Sequence, residues 1–511
     1  MNPLVHNIFI RLLGLSYFFA FGSLLVQIKG LIGSNGILPA FEYLQLAQRQ
    51  GLNAWVKPSV FWFNSSDEFL IGLCASCVVL ALYLFIRPQR NKLDLIEFIV
   101  LSILCLSYLS FINVSREFLS YQWDILLIET GFLTTLFSLF RRNEFAVKVF
   151  TWLFRLLIFK LMFMSGLVKF TSKDPSWASF TALDYHYYTQ PIPNPVSYFV
   201  HQFPSWFDKL SVIIMLGIEL PVALFIFMGR NLRALAGLCF VALMFIVLIT
   251  GNYCFFNLLT AFICIWLFDD NHLKQVLPEA LITKLSPVTT VKASSEIFQN
   301  FIEQRLESLN SIDNIENIKR LILRYSLIIF ASLIISLDCY FIFVRSPLDA
   351  KIKIPAVKLI SPWIKPLRHY FISSPYGLFA SMTTSRKEII IQGSSEEGDW
   401  KDYDFYYKPQ DPQTMPPQVA PFQPRLDWQM WFAALRPMPP PWFVRFAGRL
   451  LEGKPEVTSL LKTNPFPEQP PKKIRAVIYD YQFTDLDEQE TSKAYWKIMP
   501  LGRYLPPIGL K

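Results

Sequence analysis

The sequence predicts a mainly α-helical, multi-pass membrane protein: a bundle of about nine transmembrane helices followed by a β-rich domain outside the membrane. Long apolar runs fill the first two-thirds of the 511 residues, and only 17% of the chain is charged. A soluble protein of this length usually has about a quarter of its residues charged. The last third is polar and contains short alternating segments. We therefore expect a bundle over residues 1–345 and an extramembrane domain over 346–511.

The apolar runs are long enough to cross a bilayer, which takes about 20 residues of α-helix. A further stretch, 295–319, has the pattern of a soluble amphipathic helix. The predicted spans lie at roughly 8–28, 68–86, 95–113, 124–140, 148–169, 210–229, 232–250, 253–268 and 320–344.

Basic residues in the short loops orient these spans, because cytoplasmic loops are enriched in Lys and Arg. The even-numbered loops carry Arg87, Arg141 and Arg230 with further cations, whereas the loop at Gly251 carries none. The loop 170–209 and the polar tail are therefore expected on the outer side.

Charged residues inside the apolar runs mark the predicted functional region, since such groups are costly in lipid and usually face a partner or a wet cavity. Lys160 and Glu219 lie at matched depth, roughly 14 Å from the outer boundary at 1.5 Å per residue, so we predict that they pair. Lys169 is either a snorkelling anchor or part of a polar cluster with the carboxylates. The predicted intramembrane cluster comprises Asp124, Glu129, Arg155, Lys160, Lys169 and Glu219.

Several function classes lack support in the sequence. All seven cysteines lie in or beside apolar runs, which argues against a disulfide framework or thiol redox chemistry. The net charge of +9 forms no basic stripe for nucleic acid. His186 and His201 are 15 residues apart without a third ligand, a weak metal signal. We expect no cofactor and no metal.

The loop Leu183–Phe203 is rich in prolines and aromatic residues, and it predicts a rigid surface for a partner or a lid over the bundle. The segment Pro424–Leu435 has two interpretations: it docks on the membrane helices, or it is a binding edge, because aromatic residues and Arg are enriched at binding hot spots. The candidate contacts for a client protein are Tyr185, His186, Tyr187, Tyr188, Gln190, Arg425, Asp427, Trp428, Gln429 and Trp431.

The polar third predicts a small β-sandwich. Tyr376–Gly393 alternates apolar and polar residues, and Asp402–Lys408 and Ala476–Phe483 are further strand candidates. A helix is expected near 443–453.

Eight stretches of the chain resemble the lipase maturation factor family. They are RLLGLSYFFAF, GLIGSNGILPA, YQWDILLIETGFL, FRLLIFKLMFMSGLVKFTSKDPSWASFTALDYHYYTQPIPNP, IELP, LTAF, SPYGLFASMTTSRKEIIIQGS and QPRLDWQMWFAAL. Members are multi-pass proteins, in eukaryotes of the endoplasmic reticulum membrane, that assist folding and assembly of secreted lipases, and their C-terminal domain contacts the client. The resemblance implies that the outer side is the endoplasmic reticulum lumen in a eukaryote, or the periplasm, across the inner membrane, in a bacterium. The resemblance therefore implies a chaperone-like, non-enzymatic role, with a secreted lipase and the lipid bilayer as partners. This chain has Pro421-Phe422 where members often have a histidine.

A shorter likeness suggests an alternative. Gly166 to Lys169, with Asp174 and Trp177 beyond, is similar to a segment of the vitamin K-dependent gamma-carboxylases. That likeness implies an intramembrane enzyme in which Lys169 acts as a base.

Overall fold

The computed structural model describes residues 3–87, 95–285, 312–345, 364–396 and 398–509. The predicted boundary at 345/346 and most of the predicted amphipathic helix 295–319 lie outside these residues. The principal helices of the membrane part are α1 Pro3–Leu25, α2 Asp67–Ile86, α3 Leu95–Ser115, α4 Gln122–Phe140, α5 Glu144–Thr171, α6 Ser205–Glu219, α7 Arg230–Thr250, α8 Phe256–Ile263 and α9 Ile312–Arg345.

Shorter helices connect them: Ile28–Ile32, Ala40–Arg49, Pro175–Ala178, Ala182–Thr189, Pro195–Val200, Asp270–Val276 and Glu279–Leu285. Single 3₁₀ turns lie at Val60–Trp62, Arg116–Leu119, Val222–Phe227, Cys264–Leu267 and Lys365–Tyr370.

Seven helices in the described residues are long and apolar enough to cross a membrane, compared with about nine predicted spans. Helix α5 has the length but carries Lys148, Arg155, Lys160 and Lys169. Helix α8 with its 3₁₀ continuation ends at Leu267 and is shorter than a full span. All nine predicted spans are nevertheless helical.

The two ends of the bundle have different neighbours. At one end, which we call the domain face, Gln27 after α1 donates to the carbonyl of Gln423 at 2.8 Å. At the other end, the opposite face, the carboxylate of Asp270 accepts from the backbone N–H groups of Leu4 and Val5 in the first turn of α1. Asp270 thereby satisfies N–H groups that have no partner within the helix.

The polar third forms one four-stranded antiparallel sheet, so the prediction of a sandwich is wrong for the described residues. Its strands are β1 Arg386–Ser394, β2 Lys401–Asp402, β3 Lys473–Phe483 and β4 Trp496–Ile508, in the order β2-β1-β3-β4. The helices of this region are α10 Arg425–Ala434, α11 Pro441–Leu451, Pro455–Thr458 and Leu486–Ser492.

The strand predictions were right in part. Strand β1 covers only the second half of Tyr376–Gly393, and β3 matches Ala476–Phe483 closely. In Asp402–Lys408, pairing beyond β2 is limited to one bridge between Asp404 and Thr463. Helix α11 matches the helix expected near 443–453.

Candidate functional site

Arg425 of α10 and Asp124 of α4 form a buried ion pair where the C-terminal region meets the bundle. Both side chains are fully buried. Two guanidinium nitrogens contact the two carboxylate oxygens at 3.1 and 3.2 Å, and one also donates to the carbonyl of Phe118 at 2.7 Å. The Tyr108 hydroxyl bridges both partners. Burial tends to lower the pKa of Arg425, but the Asp124 carboxylate outweighs it and the pKa is raised.

Amide side chains fix α10 on either side of this pair. Gln27 accepts from the backbone N–H of Arg425 at 2.8 Å. Gln429 donates to the carbonyl of Glu117 and to the hydroxyl of Tyr121. The indole N–H of Trp431 donates to the carbonyl of Thr189 at 2.8 Å.

Through these contacts, most of the Pro424–Leu435 segment docks on the membrane helices and the loop after α5. The five side chains that we proposed as client contacts there are all buried within the folded chain: Arg425, Asp427, Trp428, Gln429 and Trp431. A client-binding edge would need them exposed, so this arrangement corresponds to the docking interpretation. The pKa of Asp427 is raised to about 6 by burial, although backbone N–H groups of Tyr407 and Lys408 partly oppose the shift.

Lys160 of α5 lies at the centre of a second polar cluster. Its ammonium contacts Glu129 of α4 at 2.5 Å and Asp338 of α9 at 2.7 Å. Ser373 and Tyr376, which follow the described part of α9, donate to Asp338 and Glu129 respectively. Three helices and the start of the C-terminal region thus meet at one lysine.

The predicted pair between Lys160 and Glu219 is therefore wrong. Glu219 is bound by Lys169, whose ammonium contacts both carboxylate oxygens at 2.6 and 2.8 Å. The matched-depth argument assumed that α5 and α6 are level, but Gly166 faces Glu219 and Leu220 instead. Gly166 is six residues from Lys160, about 9 Å along the helix.

The expected single cluster is also wrong, because its members separate into distinct sites. Asp124, Glu129 and Glu219 each bind a different cation. Arg155 lies apart from these three carboxylates, donating to the carbonyl of Trp266 at 3.0 Å and stacking over the ring of Trp152. Lys169 is 6% exposed, so it is not a snorkelling anchor.

The Leu183–Phe203 loop is covered by the C-terminal region. Arg386 of β1 is fully buried and donates to the carbonyls of Tyr188, Gln190 and Pro191 at 2.5–2.9 Å. The guanidinium of Arg386 also forms an ion pair with Glu388 at 2.5 Å, and Glu388 binds Lys408 as well. Burial lowers the pKa of Arg386, and the Glu388 carboxylate opposes that shift.

Aromatic packing and Asn252 complete this contact. Tyr188 and Tyr198 pack with Tyr481, Phe483 and Trp496 in one buried cluster. Asn252 accepts from the backbone N–H groups of residues 419 and 420 and donates to the carbonyl of residue 417. Among the proposed loop contacts, Tyr187, Tyr188 and Gln190 are buried, while Tyr185 and His186 are half-buried.

Sequence reasoning missed Asp338, Arg386 and Glu388. Asp338 interrupts the apolar run LIISLDCYFIF, which is the same signal that singled out Lys160 and could have identified it. Arg386 and Glu388 stand in a polar segment where charges are ordinary, so only the tertiary structure distinguishes them.

The fold and these contacts define a class: a multi-pass membrane protein whose C-terminal sheet domain is held on one end of its helical bundle by a buried ion pair and buried hydrogen bonds. The transmembrane-domain model of the lipase maturation factor family matches residues 4–275, and the C-terminal-domain model of the same family matches residues 372–506.

Similar proteins agree along the whole chain. Lipase maturation factor 2 of Gallus gallus is 32% identical over 588 residues, covering 99% of this chain and 81% of the relative. Lipase maturation factor 1 of Mus musculus is 31% identical over 537 residues, covering 99% and 88%. Lipase maturation factor 2 of Homo sapiens is 32% identical, covering 100% and 83%. The chain belongs to the lipase maturation factor family. No solved structure matches it.

These matches give no support to a carboxylase-like reaction at Lys169. In the structure that lysine is engaged by Glu219 and lies 5.8 Å from the ring centre of Trp177, an arrangement that joins α5, α6 and the following loop.

Proposed function

We propose that this protein is a non-enzymatic maturation factor that helps secreted lipases to fold and assemble into active enzymes. The family match over both the bundle and the C-terminal domain carries this proposal. The names of the relatives supply the client class.

The client would approach from the side of the membrane on which the domain face lies, which is the lumenal or periplasmic side. The opposite face carries Arg141, Arg230 and Lys274 close to helix ends, which is typical of cytoplasmic loops. In a eukaryotic cell this orientation corresponds to the endoplasmic reticulum membrane.

Within the C-terminal domain, the outer side of β4 is our candidate for the client-contacting surface. Strand β4 is at the edge of the sheet and pairs only with β3 among the described strands. Met499 and Leu501 on it are 58% and 48% exposed. An edge strand with exposed apolar side chains can bind an extended segment of an incompletely folded partner by strand addition.

Co-expression of a secreted lipase with and without this protein tests the function. We expect higher specific activity of the secreted lipase at equal antigen when the protein is present. Equal specific activity across several lipases would contradict the proposal.

A variant pair tests the surface. Met499→Ser with Leu501→Ser should lower lipase maturation, whereas Val276→Ser, an equally polar change at an 81% exposed residue on the opposite face, should not. If both variants mature the lipase as well as the wild type, β4 is not the contact surface even when the function itself holds.

A further inference from the structure

A cavity of about 450 Å³ lies beside the Lys169–Glu219 pair, bounded by α5, α6, α7, α8, the loop after α5 and residues 378–382 of the C-terminal region. This volume is in the range of pockets that enclose small organic ligands, roughly 300–1,000 Å³. Most of the lining is apolar, including Met162, Met215 and Val247.

The cavity opens toward the lipid-facing side of the bundle. Ile214 of α6 and Ile246 of α7 both line it, and they are 53% and 54% exposed in the described part of the chain. Helix α7 is long and apolar enough to span a membrane, and so is the segment Ser205–Phe227, which comprises α6 and the 3₁₀ turn after it. A ligand would therefore enter laterally, between α6 and α7, from the hydrocarbon phase.

Among the polar residues that line the cavity, Lys169 and His186 have complementary hydrogen-bonding capacities. The Lys169 ammonium has three N–H donors and uses two on Glu219, so one remains. His186 is the second group, and its hydrogen bond to the hydroxyl of Tyr253 is 3.0 Å long.

The hydrogen-bond network fixes which nitrogen of His186 carries the proton. Gln190 donates its amide to the carbonyls of Tyr187 and Thr250, so its oxygen accepts from the hydroxyl of Tyr253. Tyr253 has a single proton, and it must therefore accept from Nε2–H of His186. Nδ1 is left as an acceptor, with no hydrogen-bond partner among the described residues.

The charges of the lining residues indicate that the ligand is neutral. Lys169 and Glu219 neutralise each other, and burial together with the Lys169 cation lowers the pKa of His186 to about 4, so the histidine is neutral at pH 7. An additional anion or cation would enter this apolar cavity without a counter-charge, which is costly. The free donor of Lys169 and the free acceptor of His186 together suit a hydroxyl group, which can accept from the lysine and donate to the histidine.

We propose that this cavity binds a neutral lipid with a long alkyl chain and a terminal hydroxyl group. The chain lies between α6 and α7, and the hydroxyl bridges Lys169 and His186. This inference is independent of the proposed lipase-directed function, since it concerns a ligand of the membrane part.

Photo-crosslinking of the full-length protein in lipid nanodiscs tests it with three diazirine probes of equal chain length. One ends in a hydroxyl, one in a carboxylate and one in a methyl group. We expect the hydroxyl probe to label cavity-lining peptides about tenfold more than the methyl probe, because both of its hydrogen bonds are buried. Equal labelling by all three probes, or strongest labelling by the carboxylate probe, would overturn the proposal.

Matched variants distinguish this site from general lipid contact. His186→Phe keeps an aromatic ring but removes the acceptor, and it should reduce hydroxyl-probe labelling to the level of the methyl probe. His201→Phe, in the same loop but outside the cavity lining, should leave labelling unchanged.

A cavity-filling pair gives a second readout that does not depend on His186. Ile214→Trp should block labelling by the hydroxyl probe, whereas Ile213→Trp, at a neighbour that is 50% exposed but outside the lining, should not. Unchanged labelling in a folded Ile214→Trp protein, as judged by its melting temperature, would refute the site. Lipase maturation is not measured in either experiment, so the two proposals can fail separately.

Discussion

At the scale of single residues, the pairing of Arg425 with Asp124 joins the membrane part and the C-terminal part of the chain, and both side chains are fully buried. Breaking a buried ion pair leaves one charge without a partner, which typically costs about 3–5 kcal/mol, whereas removing both charges costs much less. The pair therefore contributes specificity of docking: α10 fits where its guanidinium meets this carboxylate.

A double-mutant cycle tests that role. Arg425→Leu and Asp124→Leu should each destabilise the protein by about 3–5 kcal/mol, and the double variant by clearly less than their sum. Denaturant unfolding in detergent, followed by Trp fluorescence, gives the free energies. Arg445 and Glu42 form an exposed ion pair between the same two parts, and breaking it should cost no more than about 1 kcal/mol. Additive effects at Arg425 and Asp124 would show that they do not interact.

His186 makes stability depend on pH in a defined direction. Burial, with a smaller contribution from Lys169, lowers its pKa to about 4, below the value of about 6.5 expected in the unfolded chain. The unfolded state therefore binds a proton more readily, and folding stability falls as pH drops from 7 toward 4. Between pH 7 and pH 5 the loss from this residue is roughly 2 kcal/mol.

The measurement compares wild type with His186→Gln at both pH values by thermal or denaturant unfolding. We expect the variant to lose less stability on acidification. If the two proteins lose equal stability, His186 does not titrate as its surroundings require.

At the scale of elements, glycine sets the register of α5 against α6. A Cβ atom at Gly166 would lie 2.9 Å from Cβ of Glu219 and 2.8 Å from Cγ of Leu220. Gly22 of α1 is also helical, but a Cβ there would contact nothing within 4 Å. The two positions separate the effect of close packing from the helix propensity of alanine.

Gly166→Ala should lower stability by about 1–3 kcal/mol, because the helices must separate and the contact of Lys169 with Glu219 lengthens. Gly22→Ala should raise it by up to about 1 kcal/mol, since alanine is the better helix former. The melting temperatures of the two purified variants, compared with that of the wild type, measure both effects. A stabilising Gly166→Ala would mean that α5 and α6 do not approach as closely here.

The elements themselves were largely predictable from the sequence, whereas their mutual register was not. Apolar runs identify helical structure wherever they reach bilayer length, and every predicted span is helical over most of its length, although 210–229 is divided between α6 and a 3₁₀ turn. The pairing of Glu219 depends on Gly166, whose meaning appears only when α6 is packed against it. Strand β4 was missed because Pro500, Pro506 and Pro507 obscure its alternation. The docking of α10 was one of two open interpretations, since composition does not distinguish a buried Trp from a binding Trp.

At the scale of the whole molecule, the loop after α5 and the C-terminal sheet form one continuous contact. Arg386 binds the loop carbonyls, and Tyr198 packs with Phe483 and Trp496. These contacts require the loop and the sheet to lie on the same side of the membrane, as the distribution of basic loops predicts. The aromatic loop therefore supports the C-terminal domain, and the proposed client would contact the outer surface of that domain.

Cysteine labelling in sealed vesicles tests this orientation. Met499→Cys on β4 and Val276→Cys beyond α8 place exposed thiols on the domain face and on the opposite face. A membrane-impermeant maleimide applied from the cytoplasmic side should modify the second thiol and spare the first until the vesicles are opened. The parent protein corrects for its own cysteines, of which Cys339 is exposed. Modification of both introduced thiols from one side would mean that the bundle does not separate its two ends, and a client in the secretory compartment could not reach β4.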